Sequence, residues 1–328
     1  MTWLVWRQHR NQAYFAAAVL AVFAVLVLVT GRQMASQYHS ARTACTASHS
    51  CSNLANTLTL GTPLLSVLVT LTVVVPCLLG LFWGAPLVAR ELETGTSQFA
   101  WMQTITRGRW LTAKAGWALL AAAAWGGAVS ALVTWWSSPL NALNQQNFQP
   151  GQFDIQGIVP VGYAVFAVAL GIAAGTILRR TLPALAVTLG VFVLLRLVIS
   201  EDLRSHYMSA VTKTYAFLHQ FTPKGSYWLI AQGLAGKGGK VLTAQPNVSG
   251  AHIDGVPISE MPSACRALAF QGPLKLFTCL TARGYHGFIS YQPASRYWAF
   301  QGIETGIFVL LAAALIAMTA IVLLRRDA

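Results

Sequence analysis

The stretch GIETGIFVLLAAALIAMTAIVLL, residues 302–324, decides the fold class of this chain. It is almost wholly apolar, and a helix of this length, rising 1.5 Å per residue, crosses the roughly 30 Å of hydrocarbon in a bilayer. Arg325 and Arg326 follow it directly, as cations often do where a helix leaves a membrane. The stretch therefore predicts a transmembrane helix.

Five further apolar runs precede this one, near residues 13–30, 64–88, 115–136, 157–178 and 183–200. Hydrophobic residues make up 55% of the chain and charged residues only 9%, whereas about 25% of an ordinary soluble domain is charged. We therefore predict an all-α polytopic membrane protein with six transmembrane helices. The first run follows a basic start, as in a secretory signal peptide, but lacks a small-residue cleavage site, so we interpret it as an uncleaved helix.

The basic residues predict the orientation of these helices, because cytoplasmic segments carry an excess of Lys and Arg. With both termini in the cytoplasm, the opposite short loops hold only Arg32 and Arg42. The cytoplasmic segments then hold Arg7, Arg10, Arg90, Arg107, Arg109, Lys114, Arg179, Arg180, Arg325 and Arg326. We predict a multi-pass plasma-membrane protein whose net charge of +13 reflects helix ends beside the lipid bilayer rather than nucleic-acid binding.

Three parts follow from this topology. Residues 1–200 form the membrane domain with helices one to five, including a cytoplasmic coupling segment at 89–112. Residues 201–301 form a mixed α/β extracytoplasmic domain that is inserted between helices five and six. Residues 302–328 form the sixth helix and a cytoplasmic tail. An insertion of about a hundred residues is large enough to fold as a small domain.

Local patterns predict the elements of that insertion. A spacing of three to four residues predicts an amphipathic helix through Leu203, Tyr207, Val211, Tyr215 and Leu218. Further on, Gly and Pro interrupt short apolar stretches at 227–230 and 241–243, which favours short strands and loops.

Four cysteines lie outside the predicted spans, as two local pairs. Cys45 and Cys51 share the first outer loop, and Cys265 and Cys279 share the insertion. An oxidising exterior favours two disulfides with this pairing. The alternative is free or metal-linked thiols, although no CxxC or HxxxH pattern supports a metal site.

The amino-terminal residues predict contact with the membrane surface. Trp3, Trp6, Arg7 and Arg10 would place indoles at the headgroups and guanidinium groups toward the phosphates in a short surface helix. A flexible tail is the alternative.

The cytoplasmic segment after the second run carries exposed apolar residues. Gly95 can end the preceding helix and Thr106 can cap the next one. Between them, Phe99, Trp101 and Met102 form an apolar patch that suits a protein partner.

Two charges, Arg196 and Glu304, lie at similar depth near the outer ends of the fifth and sixth runs. Ionisable groups within spans are costly unless they are paired or hydrated, so the two are candidate partners. Independent snorkelling of each side chain to the headgroups is the alternative.

Chemistry-bearing motifs are missing from the sequence. The glycine-rich stretch 233–240 lacks a GxxxxGK[ST] match, and we identify no catalytic, cofactor-binding or metal-binding residues.

Several short motifs occur along the whole chain. They are Trp6-Arg7-Gln8, the ARE-x-E-x-GT segment from Ala89 to Thr96, Trp101-Met102-Gln103, Arg109-Trp110-Leu111 with Lys114, and Tyr291 to Trp298 followed by Gln301 and Glu304. In this order they resemble the membrane subunits of ABC transporters, specifically the ABC-2-type permease family as found in actinobacteria, and the resemblance covers essentially the whole chain.

This resemblance implies a transport subunit without its own ATPase site, paired with a second permease copy as a homodimer. A separate cytosolic ABC ATPase would bind ATP and Mg, and this chain would move an apolar or amphipathic solute outward. By position, residues 2–10 and 90–105 match the parts that transmit nucleotide-driven closure. The expected coupling residues are Arg90, Glu91, Glu93, Phe99, Trp101, Met102, Arg107 and Arg109. A membrane-anchored scaffold or sensor and an extracytoplasmic membrane enzyme are the alternative functions.

Overall fold

A computed structural model describes most of the chain. The described residues are 2–48, 70, 74–95, 106–144, 147–216, 223–236, 241–243, 252–253, 256–257 and 261–325. The chain divides into two compact units. The span unit comprises Met1–Asn144, Pro150–Arg204 and Trp298–Ala328, and the sheet unit comprises Gln145–Gln149 and Ser205–Tyr297.

Helices dominate the chain. They are α1 (Thr2–Ser48), α2 (Val74–Glu93, with a π-helical turn at Gly80–Gly84), α3 (Arg107–Asn144), α4 (Pro150–Phe153), α5 (Val159–Leu178), α6 (Thr181–Val198), α7 (Ser263–Arg266), α8 (Pro273–Ala282) and α9 (Tyr297–Arg325). A π-helical turn at Ile199–Leu203 and a 3-10 turn at Arg204–His206 prolong α6.

Within the described residues, six helices are long and apolar enough to cross a membrane, namely α1, α2, α3, α5, α6 and α9. Each of the six spans predicted from sequence thus contains such a helix, and for the second, predicted at 64–88, this holds for residues 74–88, because most of its earlier residues lie outside the described ranges. Large apolar side chains remain exposed on them, including Phe15 on α1, Leu182 on α6 and Leu310 on α9. Such surfaces suit contact with lipid.

Helix α5 forms the centre of the span unit, because 78% of the residues in its apolar stretch are buried. It approaches α2 closely because glycines face the crossing: a Cβ on Gly171 would lie 2.4 Å from the carbonyl oxygen of Gly80, and one on Gly175 would lie 2.6 Å from that of Ala85. Small residues four positions apart commonly allow transmembrane helices to pack this tightly.

The described part of the sheet unit contains six strands. They are β1 (Val211–Tyr215), β2 (Tyr227–Ala235), β3 (Val241–Thr243), β4 (His252–Ile253), β5 (Val256–Pro257) and β6 (His286–Pro293). Four form an antiparallel sheet in the order β1-β6-β2-β3, in which Lys213 faces Ile289 and Leu234 faces Gly287. The pair β4-β5 forms a separate ribbon.

The predicted amphipathic helix from Leu203 to Leu218 is wrong. The helical turns end at His206, and Val211–Tyr215 is a strand paired with β6. Its residues, VTKTY, are mostly β-branched or aromatic and suit a pleated, half-exposed strand, so pairing with a distant strand overrides the local spacing. The strands predicted at 227–230 and 241–243 are confirmed.

A disulfide joins Cys265 on α7 to Cys279 on α8, as the sequence predicts. It borders a small core that includes Leu234 and Leu276. The other predicted pair is not tested, because the Cys45 side chain and Cys51 lie outside the described residues.

Residues 147–149 also belong to the sheet unit, although the sequence predicted only 201–301 for it. The Phe148 amide donates a hydrogen bond to Ser226 Oγ at 3.0 Å, and the Phe148 ring lies against Trp228 and Tyr297, with centroids 6.3 and 5.8 Å away. The connection between α3 and α4 thus contributes an aromatic side chain to this unit.

Candidate functional site

A cluster of charged side chains lies inside the span unit. We call Asp154, Tyr163, Arg196, Arg204 and Glu304 the charge cluster. Asp154 follows α4, Tyr163 lies in the first turns of α5, Arg196 lies near the end of α6, Arg204 follows the π-helical turn of α6, and Glu304 lies on α9. Three parts of the chain that are distant in sequence, at 154–163, 196–204 and 304, therefore meet here.

Arg204 is the centre of this cluster. Its Nε donates to Glu304 Oε2 at 2.8 Å and its Nη2 donates to Glu304 Oε1 at 2.7 Å, which is a bidentate pair. The same Nη2 lies 2.5 Å from Asp154 Oδ1. Arg196 binds the other oxygen of Asp154 at 3.3 Å. Asp154 thus bridges the two guanidinium groups.

Aromatic rings complete the surroundings. The Tyr163 hydroxyl donates to Glu304 Oε1 at 2.5 Å. The guanidinium carbons of Arg204 and Arg196 lie 4.6 Å from the ring centroids of Phe153 and Tyr163, respectively. These distances permit cation–π attraction, which is strongest for desolvated cations.

The burial of Arg204 and Glu304 means that each charge needs an oppositely charged partner. Arg204 is 1% exposed and Glu304 is 0% exposed, and isolated charges in such surroundings are strongly disfavoured. Two carboxylates and two guanidinium groups make the cluster formally neutral. The Nη1 group of Arg204 is buried and has no hydrogen-bond partner within the described part of the chain.

The sequence identified both Arg196 and Glu304 as intramembrane charges, but it missed the residues that join them. Arg196 binds Asp154, and Glu304 binds Arg204 and Tyr163. A signal was available, because the chain has only nine acidic residues and Asp154 lies just before a predicted span.

One turn before Glu304, the buried Gln301 holds the segment between α4 and α5. Its Oε1 accepts hydrogen bonds from the amides of Ile158 and Val159 at 2.9 and 3.0 Å. Its Nε2 donates to the carbonyl oxygens of Phe153 and Gln156 at 3.1 and 3.2 Å. Irregular backbone within a membrane protein needs partners of this kind.

Gly157 shows how closely this segment fits. Its φ of 72° is a left-handed conformation that favours glycine, and a Cβ there would lie 2.6 Å from Gln301 Oε1. Ser130 and Thr134 of α3 hydrogen-bond its carbonyl oxygen and its amide. The segment is therefore held from α3 and from α9.

The neighbouring motif at Tyr291 to Trp298 supports the sheet unit. Gln292 Nε2 donates to the Met208 carbonyl oxygen at 2.7 Å, and Arg296 Nη1 donates to the Ser209 carbonyl oxygen at 2.6 Å and to Gln292 Oε1 at 2.7 Å. These bonds fix the chain just before β1.

A second candidate site lies at the opposite ends of these helices. The basic end of the span unit comprises the end of α2, the start of α3, the turn between α5 and α6, and the end of α9. Its cations are Arg90, Arg107, Arg109, Lys114, Arg179, Arg180 and Arg325. Leu323 of α9 packs in one core cluster with Trp110 and Leu111 of α3, which places these helix ends together.

The two carboxylates at the described part of the basic end bind groups within the chain. Glu91 forms a salt bridge with Lys114, whose exposed fraction is 4%. Glu93 Oε2 accepts hydrogen bonds from the Thr181 amide at 3.0 Å and from its hydroxyl at 2.7 Å. Arg90 and Arg109, by contrast, are exposed.

The remaining predicted coupling residues differ in how well they can be placed. Arg107 is half-buried at the start of α3, whereas Phe99, Trp101 and Met102 lie outside the described residues. No group of three or more His, Cys, Asp or Glu is arranged for a metal ion in the described ranges.

The predicted amino-terminal surface helix is part of α1. Residues 2–10 are helical and continue without a break to Ser48. Arg10 is exposed, whereas the structure describes the backbone but not the side chains of Trp3, Trp6 and Arg7.

Comparison with protein families identifies a match. A family described as ABC-2 membrane transporter related matches residues 17–204, which is more than half of the 328 residues. The matched range includes every member of the charge cluster except Glu304. Neither the curated proteins nor the solved structures gave a match.

Proposed function

The chain belongs to the ABC-2 membrane transporter related family, and we propose on this premise that it is the permease subunit of an ATP-driven exporter. The observation that carries the proposal is the family match over the first five of six apolar helices. The family match and the apolar helices together indicate a multi-pass membrane protein of a transport family. ATP binding and hydrolysis are assigned to a separate subunit.

We place the partner ATPase at the basic end. Exposed Arg90 and Arg109 flank the segment that carries Phe99, Trp101 and Met102, so cationic and apolar side chains are close in sequence. Such a combination suits a protein surface with acidic and apolar groups. Movement of this surface would be passed to the spans.

The same charges support the proposed orientation. Cytoplasmic ends of membrane helices are enriched in Lys and Arg, so the basic end and both chain termini are assigned to the cytoplasm of a plasma-membrane protein. The sheet unit, inserted in sequence between α6 and α9, is then assigned to the outside. Its disulfide agrees with an oxidising compartment.

An apolar or amphipathic cargo is the proposed solute. The spans lack a dense ring of like charges in their sequence, which a channel or pathway for strongly charged solutes commonly has. A second copy of this chain is the proposed partner across the transport pathway, and the exposed apolar sides of α1 and α6 are available to it.

Affinity purification from the native membrane in mild detergent tests this function. We expect an ABC ATPase to accompany the unaltered chain, and its retention to fall when Arg90→Glu and Arg109→Glu are combined. Arg32→Glu is the matched control, because Arg32 is also exposed but lies on α1 away from the predicted cytoplasmic segments. An intact, ATPase-free protein would refute the proposal.

A further inference from the structure

The helical hairpin of the sheet unit exposes two large apolar side chains. This hairpin comprises α7, a 3-10 turn at Ala267–Gln271 and α8. Phe270 is 77% exposed and Leu274 is 65% exposed. All other large apolar side chains that the structure describes in the sheet unit are buried or half-buried. Phe270 and Leu274 therefore mark one place on this unit as different from the rest of its surface.

The two side chains lie on either side of a glycine corner. Gly272 has a φ of 112°, a conformation that favours glycine, and a Cβ there would meet nothing within 4 Å. We call residues 267–275 the tip. The disulfide between Cys265 and Cys279 and the buried side chain of Leu276 hold the hairpin to the small core behind it. The tip is therefore an open corner on a fixed support, which lowers the entropy cost of covering it.

The charged residues around the tip are all cationic. Arg266, Lys275 and Arg283 are exposed, and no Asp or Glu occurs between residues 261 and 303. Lys275 Nζ donates to Gln271 Oε1 at 3.3 Å, which keeps this ammonium beside the glycine corner. Exposed apolar side chains among cations are typical of segments that bind anionic membranes, because the apolar groups enter the interface and the cations bind headgroup phosphates.

The sheet unit is also tethered to the bilayer by both of its ends. Ser205 directly follows Arg204, where the extension of α6 ends, and Tyr297 is the first residue of α9. A tethered group meets its target at a high effective concentration. A contact that is weak on its own is therefore sufficient to keep the hairpin at a membrane surface.

The size of the apolar surface favours a lipid surface over a protein partner. A stable protein interface covers roughly 800 Å² on each partner, whereas one aromatic side chain buries about 150–250 Å². Phe270 and Leu274 together supply well below the area that a protein partner needs. Two such side chains are sufficient for a tethered unit that only has to enter a membrane interface.

We propose that the tip inserts Phe270 and Leu274 into the membrane interface, and that Arg266, Lys275 and Arg283 bind anionic lipid headgroups there. This inference goes beyond the proposed function, because it concerns only the sheet unit and the bilayer. It holds whether or not the chain exports a solute, and its test needs no ATPase.

Fluorescence of the full chain in lipid nanodiscs tests this contact. A fluorescent unnatural amino acid replaces exposed Ala267, which lies three residues before Phe270 in the 3-10 turn and therefore on the same side. Nitroxide-labelled lipid quenches the probe on contact, and fluorescence lifetimes give the ratio of quenched to unquenched probe. Nanodiscs of neutral phosphatidylcholine are compared with nanodiscs that also contain anionic phosphatidylglycerol.

We expect quenching in both membranes, and more of it in the anionic one. Phe270→Ser and Leu274→Ser should each lower the ratio of quenched to unquenched probe by about tenfold. Lys275→Gln should lower it by about fivefold in the anionic membrane alone. The matched controls are Thr278→Ser, at an exposed position one turn further along α8, and Lys213→Gln, at an exposed lysine on β1; both should leave the ratio unchanged.

The outcomes separate the membrane from other occupants of the tip. Since Phe270 and Leu274 are exposed, their substitution should leave the fold intact, and retention of the Cys265–Cys279 disulfide checks this. The proposal is wrong if the probe is quenched in neither membrane, or if the serine variants are quenched as strongly as the unaltered chain. A probe shielded from both the lipid nitroxide and aqueous iodide would instead show a protein over the tip, and would also overturn the proposal. Equal quenching in neutral and anionic membranes would overturn the role of the cations.

Discussion

Glu304→Gln is the most informative substitution in the charge cluster, because it removes one charge and keeps the side-chain size. In the native chain Glu304 receives two hydrogen bonds from Arg204 and one from Tyr163. The variant leaves the Arg204 guanidinium, 1% exposed, with Asp154 as its remaining carboxylate at 2.5 Å. A buried cation then loses half of its compensation.

The expected cost follows from that geometry. Breaking a buried ion pair from one side destabilises a protein by about 3–5 kcal/mol, and the surviving Asp154 contact favours the lower end, about 3 kcal/mol. For a unit of the size of the span unit, which holds the cluster, each kcal/mol lowers the unfolding midpoint by about 2–4 °C. We therefore expect the midpoint in detergent micelles to fall by about 6–12 °C.

Thermal unfolding of a double-mutant cycle checks this reasoning. Arg204→Gln alone should also destabilise, because it leaves Glu304 buried without its cation. The double variant should lose clearly less than the sum, since both unpaired charges are gone. Additive losses would refute the pairing, and the exposed control Glu201→Gln should change stability by about 0.5 kcal/mol or less.

Three further variants test other parts of the structure. Gly175→Val at the crossing of α2 and α5 should destabilise by about 1–3 kcal/mol through overpacking, whereas Gly190→Ala, where an added Cβ meets nothing within 4 Å, should be neutral or stabilising; the two midpoints are compared directly. Gln301→Leu should cost about 2 kcal/mol, because it removes the partner of the buried Val159 amide, of the part-buried Ile158 amide and of two carbonyl oxygens; a midpoint equal to that of the unaltered chain would contradict this. Peptide mapping without reduction should recover Cys265 linked to Cys279, and Cys265→Ser should lower stability by about 2–5 kcal/mol; a freely alkylated pair would disprove the linkage.

The spans could be predicted from sequence because apolar length is a property of the local chain. Residues 302–324 and 157–178 need no knowledge of their neighbours to be assigned as membrane helices. Part of the strand at Tyr227–Ala235 could be predicted for a similar reason, since glycine and proline interrupt the apolar stretches in this part of the chain. Local sequence patterns were therefore sufficient to predict the membrane helices.

Contacts between residues distant in sequence could not be predicted in this way. Strand β1 depends on β6, in which Lys213 faces Ile289, and its helical spacing gave no sign of that partner. Arg204 enters the core after a π-helical turn at Ile199–Leu203, whose extra residue changes the face on which the following side chains lie. The partner of Glu304 therefore lay beyond the predicted end of the fifth span.

Glu91 and Glu93 show a different limit. Their sequence position beside an apolar cytoplasmic patch favours an external partner, and only the placement of Lys114 and Thr181 shows that both carboxylates bind within the chain. The groups that these two carboxylates contact depend on how three helix ends meet.

The position of Gln301 and Glu304 on the last helix has a consequence for the synthesis of this protein. Arg204 precedes its partner Glu304 by 100 residues, and Gln301 follows the Phe153 carbonyl oxygen that it binds by 148 residues. At about 5–20 residues per second, a ribosome needs roughly 5–20 s to make the intervening hundred residues. During that interval the newly made Arg204 has Asp154 but not Glu304 as a carboxylate partner, so the charge cluster is completed only when the final span is made.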